Sequence, residues 1–218
     1  MMISLKFEIT LQWYQAIGKT IISYVKARMI GRLADLQDGT LKMLMAVALS
    51  GHGDHLEIGT LFGGSAIAAV LMKKMMELSG NVICLDPLDG YYRNSSIEAD
   101  VDPITKLPVN LETVLENARR FSVSDRLEII TQRSYPWPVE LEKRSFASAY
   151  IDGDHWNFPW LDWLNVKDRV SRFIIFDNCD LEHPDVMFAC QKAEQDRNWR
   201  RVHSEGITFI LERVNDLE

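Results

Sequence analysis

HLEIGTLFGGS, residues 55–65, is the stretch whose reading decides the fold. A short apolar run carries an acid, Glu57. Glycines follow at Gly59, Gly63 and Gly64, and the helix-like AIAAVLMKKMMEL comes directly after Ser65. A strand, a tight glycine turn and a helix start form the first unit of an open α/β sheet. Such sheets bind nucleotide cofactors at the carboxyl ends of their strands.

Outward from this unit the pattern alternates strand and helix, the mark of a parallel sheet covered on both faces. NVICLD is the second strand, RLEIIT the third, ASAYID the fourth and SRFIIFDN the fifth. LETVLENARRF and PDVMFACQKAEQD are intervening helices. The end, WRRVHSEGITFILERV, reads as an antiparallel hairpin turning at Glu205-Gly206. Before the first strand, Trp13, Ile17, Ile21, Val25 and Ile30 recur near helical spacing, and TLKMLMAVAL forms a second helix. The expected fold is therefore α/β and Rossmann-like. It is doubly wound around a mostly parallel seven-stranded sheet, with a C-terminal antiparallel hairpin and N-terminal helices. The 218 residues suit one domain, with 1–52 as a helical cap and 53–218 as the core.

The net charge of −7 argues against a nucleic-acid partner. Cys84, Cys179 and Cys190 form no CxxC pair or zinc spacing, which suits reduced thiols and a cytoplasmic setting. No signal peptide is evident, and the longest apolar stretch, 61–72, is too short to span a bilayer, so no membrane partner is expected. The N-terminal helices offer a contact for a homodimer.

Gly59, Gly63 and Gly64 would let the backbone approach a ligand. Ser65 adds a hydroxyl at the helix start, where a carboxylate is favoured. Glu57, an acid at the turn, suits a cationic or amino-bearing ligand better than a diphosphate. Asp86 ends the second strand, where an acid accepts hydrogen bonds from ribose hydroxyls. Gln132-Arg133-Ser134-Tyr135 follows the third strand, in position to reach an adenine. This pattern resembles the class I S-adenosylmethionine-dependent methyltransferases. EIGTLFGGS is spaced like the corresponding segment of the catechol-type O-methyltransferases. The resemblance implies that Glu57, Gly59, Gly63 and Ser65 hold the methionine part, Asp86 the ribose and Ser134 the adenine edge.

The fourth and fifth strands finish in IDGDHW and FDNCD. Asp152, Asp177 and Asn178 thus present hard oxygen ligands to one point, which suits a divalent ion such as magnesium. The same triad occurs at matching strand ends in the metal-dependent O-methyltransferases that the chain resembles. Asp152 borders the cofactor as well. Two residues compete for the base that takes the hydroxyl proton. His155 stands where the catechol-type enzymes carry lysine. Asp154 stands where the sugar O-methyltransferases of macrolide and aminocoumarin pathways carry an acid. An ordinary imidazole pKa near 6.5 suits a base at neutral pH and favours His155. The acceptor implied is a small hydroxylated molecule, a sugar or a natural product. The long connection 87–110, with Tyr91 and Tyr92, reads as a lid, and Trp156 as a flank of the substrate. Two other readings are a cofactor-binding protein without turnover and an NAD-linked oxidoreductase. The second is disfavoured because the turn lacks the GxGxxG order.

Overall fold

The computed structural model describes residues 2–33, 37–88, 101–102, 104–203 and 206–214, without the side chains of 2–10 and 37–38. Its strands are β1 (His55–Ile58), β2 (Val82–Leu85), β3 (Leu127–Ile130), β4 (Phe146–Ile151), β5 (Val170–Phe176), β6 (Trp199–His203) and β7 (Phe209–Arg213). They form one seven-stranded sheet in the order β3-β2-β1-β4-β5-β7-β6, parallel except for the pairings that β7 makes with β5 and β6. The α/β, mostly parallel expectation and the terminal hairpin are both observed. Strand order reverses between β1 and β4, which is where ligands bind in sheets of this kind.

The helices are α1 (Met2–Lys26), α2 (Gln37–Ser50), α3 (Gly64–Met75), α4 (Leu111–Arg120), α5 (Pro159–Val166) and α6 (Pro184–Ala193). Asn110 caps α4 by accepting the Thr113 amide at 3.0 Å, and α5 and α6 each open on proline, whose missing N–H is no loss in a first turn. Helix α1 stops at Lys26, so Ile30 is not on it as its spacing suggested. Ile30 lies in the connection to α2. There its amide and carbonyl are both taken by the Asn117 side chain of α4, at 2.7 and 2.9 Å.

Two apolar clusters sandwich the sheet. One face carries Cys84, Tyr150 and Ile175 and is covered by α1–α4, while the other carries Leu85, Ile58, Ile151 and Phe176 and is covered by α5 and α6. Helix α3 lies between the sheet and the α1–α2 pair, and Ala66 through Val70 are fully buried. That explains its near-continuous apolar sequence, since only its last turn, at Lys74 and Met75, opens to water. At the far edge, β6 turns Arg200 and Arg201 to solvent, a charged edge that resists further pairing. No described helix is long and apolar enough to cross a membrane.

Candidate functional site

Register places the site. Ile58 pairs with Leu85 on one side and with Ile151 on the other, and Ile151 pairs with Phe176. The next residues, Asp86, Gly59, Asp152 and Asp177, therefore leave the sheet side by side. Their amides still extend the ladder to Ile130, Leu85, Ile58 and Ile151 carbonyls, at 2.8–3.2 Å. Glu57 and its neighbour Tyr150 lie two residues back in the same two strands. By strand alternation they share a face with the acid row, the face that the N-terminal helices cover.

Like charges thus converge. Glu57 is fully buried; its Oε1 accepts the Ser65 hydroxyl at 2.9 Å, while Oε2 has no hydrogen-bond partner among the described residues. Burial drives its pKa well above the carboxylate range against the Ser65 bond, and Asp152 and Asp86 add to the rise. Asp177 is buried too. Tyr150 donates its hydroxyl to Asp177 Oδ2 at 2.6 Å, and Oδ1 is without a partner among the described residues. Burial first, then the charge of Asp152, pushes Asp177 up to about 7. Burial and the two aspartates also raise Tyr150, which stays a neutral donor.

The glycine turn is built differently from its sequence reading. The room that each glycine leaves is filled by protein. A Cβ on Gly59 would stand 2.1 Å from the Asp152 carbonyl oxygen, one on Gly63 3.0 Å from Val114, and one on Gly64 2.6 Å from Leu33. Gly59 is needed so that the tips of β1 and β4 can touch, and its φ of +90° suits no other residue. Asp86 also has a local task. Its Oδ2 accepts the amides of Thr60 (2.7 Å) and Leu61 (3.3 Å), and Oδ1 that of Leu88 (2.8 Å). It staples the turn after β1 to the end of β2.

The two candidate bases separate clearly. Asp154 accepts the Trp156 amide at 2.9 Å and the Asn157 side chain at 3.3 Å, a local turn of the loop. His155 reaches inward, with Nε2 3.3 Å from Asp152 Oδ1. A carboxylate can only accept, so in this contact the proton is on Nε2. Burial works to lower the His155 pKa but is outweighed by Asp152, then Asp177 and Asp154, and the net shift is upward. Ser134 is tied to α5. Its carbonyl accepts from Asn165 at 3.4 Å and its hydroxyl bonds Asp162, both on α5.

Several contributors were not legible in the sequence. Asp162 carried no sequence signal; it is buried, and desolvation lifts it to about 7. The α1–α2 segment bore no motif, yet it roofs the site. Gly31 packs on the Phe62 ring, Leu33 on Gly64, and Gly39 lies so close to Asp177 that a Cβ there would be 2.6 Å from Oδ2. Arg32 pairs with the buried Asp102 at 2.8 Å. Of the aromatic residues after His155, Trp163 is core, Trp160 is partly buried and Trp156 is exposed. Tyr91 and Tyr92, with most of the expected lid, lie outside the described residues.

The residues present partly fit a divalent ion. Asp152 and Asp177 are close enough to perturb each other, and the orphaned Asp177 Oδ1 is a donor in want of a cation. Among the described residues no group of three or more His, Cys, Asp or Glu is gathered for a metal; Asn178, next in the chain to Asp177, is the amide that the sequence offers as a third ligand.

No family model matches this sequence, and no curated protein matches it. Solved structures do. The O-methyltransferase NovP superposes with a TM-score of 0.67 at 16% identity, over 94% of this chain and 99% of that one. An O-methyltransferase from Bacillus cereus in complex with SAH gives 0.60 at 18% identity, over 92% and 91%. TomG, an O-methyltransferase from Streptomyces achromogenes involved in tomaymycin synthesis and solved with SAM, gives 0.62 at 14%, over 89% of each chain. At these identities the likeness establishes a common fold.

Proposed function

We propose that this chain is an S-adenosylmethionine-dependent methyltransferase acting on a hydroxyl of a small sugar or natural product, with a divalent ion at Asp152, Asp177 and Asn178. One observation carries the reading. Buried carboxylates with unpartnered oxygens converge at the switch point of the sheet, where protonation, recorded in the raised pKa values of Glu57 and Asp177, or an incoming positive charge relieves the repulsion. A sulfonium nucleoside with a free amino group and a hard cation are two such charges. The fold that the chain has in common with SAM- and SAH-bound O-methyltransferases supports the choice.

When bound, the sulfonium supplies an activated methyl group, and the ion lowers the pKa of the acceptor hydroxyl. The chain supplies the rest. Glu57 and Ser65 form the acidic wall beside the glycine turn for the amino end of the cofactor. Asp86 holds that turn at the end of β2, where the ribose hydroxyls would lie. Ser134 and Asp162 mark the adenine side. His155, fixed by Asp152 through Nε2, takes the acceptor proton on Nδ1. The α1–α2 roof excludes water from the carboxylate face. Asp154 shapes the loop that presents His155.

Calorimetry tests the reading. SAH binds saturably and NAD gives no heat; saturable NAD with silent SAH overturns it. Magnesium gives a binding signal that Asp152→Ala and Asp177→Ala both abolish while SAH still binds. A magnesium signal that survives both substitutions removes the ion from this site.

A further inference from the structure

Outside the acid row, His183, which no motif singled out, packs against His155. It is the N-cap residue of α6, directly before Pro184. Its backbone amide donates to Asp180 O and Oδ1, at 3.2 and 3.1 Å, and its ring Nδ1 lies 2.9 Å from the same Oδ1. The imidazole is thus held by a three-residue turn at the mouth of a rigid helix, with Nδ1–H as donor. Its ring meets that of His155 edge to face, centroids 4.9 Å apart and planes at 78°. On the outer side Trp156 lies 5.7 Å from it.

The location matters. His155 stands on the irregular loop between β4 and α5, where neither helix nor strand sets the direction of a side chain. An imidazole that must present one nitrogen needs two constraints, one on an atom and one on the ring plane. The Asp152 contact supplies the first at 3.3 Å, too long to fix the plane by itself. His183 supplies the second, and it comes from the other loop of the site, the one that follows Asp177 and Asn178. Outer partners that orient an inner histidine have this general form.

We propose that His183, seated on the turn that Asp180 closes through the His183 backbone amide, is a positioning residue for His155. It braces the β4–α5 loop against the β5–α6 loop and keeps Nε2 turned to Asp152 and Nδ1 to the acceptor. This rests on the methyl-transfer reading above. The ring contact is what the role requires, so phenylalanine should replace His183 and alanine should not.

Nitrogen-15 spectra of the imidazoles test this without any acceptor. On the high-pH plateau, where the His155 shifts no longer move with pH, His155 in the native chain is predominantly Nε2–H. His183→Ala brings the two tautomers to about even populations, and His183→Phe restores the native ratio. SAH affinity, by calorimetry, stays within about twofold in both variants. An unchanged His155 tautomer ratio in His183→Ala overturns the proposal, as does failure of His183→Phe to restore it in a protein that unfolds at the native temperature. Loss of SAH binding by the native chain would instead sink the methyl-transfer reading, and the tautomer result would still decide whether His183 braces His155.

Discussion

The two ends of the parallel sheet treat buried charge in opposite ways. At the amino end the buried charges are mostly paired, although His55 Nε2 and Arg169 Nε have no hydrogen-bond partner among the described residues. Arg144 bridges Glu128 at 2.7 Å and Asp54 at 3.1 Å, Lys73 donates to the Gly53 carbonyl at 2.7 Å, and the buried His55 stays neutral on Ser148 at 2.8 Å. At the carboxyl end Glu57, Asp86, Asp152 and Asp177 share one edge, and two of their buried oxygens have no hydrogen-bond partner among the described residues. The same strands carry both ends, so the difference is not one of fold. The amino end is arranged for stability. The carboxyl end holds an electrostatic cost that a cationic ligand removes, a pattern common at functional sites.

Substitutions can break this contrast or sharpen it. The largest effect is expected at the junction of β1 and β4. Gly59→Ala forces a methyl into the Asp152 carbonyl and should cost more than about 4 kcal/mol, read from urea unfolding. A loss near 1 kcal/mol, the cost of the left-handed backbone alone, would mean that the tips can part and that the close approach is not built in.

Asp162→Asn should act in the other direction. Its folded pKa of about 7 lies above the ordinary 3.8, so the stability linked to its proton is complete below pH 3.8 and disappears as pH rises through 7. The neutral amide removes that loss, giving a gain on the order of 3 kcal/mol at pH 8 that vanishes near pH 4. Equal unfolding free energies at pH 8 would refute it.

His55 carries the matching test at the amino end. Burial first, then Lys73, lowers its pKa from 6.5 to about 3. Its unfolded form binds the proton more readily, so its contribution is complete above pH 6.5 and is lost as pH falls toward 3. Between pH 7 and pH 5 this costs about 2 kcal/mol, a slope that His55→Asn should flatten without altering SAH affinity. A slope retained in the variant would place the acid sensitivity elsewhere.

The smallest effect tests the idea most directly. Glu57→Gln should raise the melting temperature of the ligand-free chain while weakening SAH about tenfold, or about 1.4 kcal/mol. If stability and affinity fall together, Glu57 is structural and the contrast between the two ends fails.

Some of this was legible in one dimension. The alternation of apolar strands with helical stretches determined the sheet, because periodicity and strand length act locally. The acids at the ends of four strands could be named, since a strand that ends in an acid does so wherever the strand packs. Register then had to bring Asp86, Asp152 and Asp177 into one row, and the order β2-β1-β4-β5 did so. The tasks of the glycines were not legible. Whether Gly59 makes way for a ligand or for the Asp152 carbonyl depends on a neighbour 93 residues away in the chain. Nor was the α1–α2 roof, the burial of Asp162 or the brace from His183 to His155, since each is a contact between segments with no shared pattern. Composition and periodicity determine which residues leave water; only packing decides which polar atoms leave it with a partner and which do not.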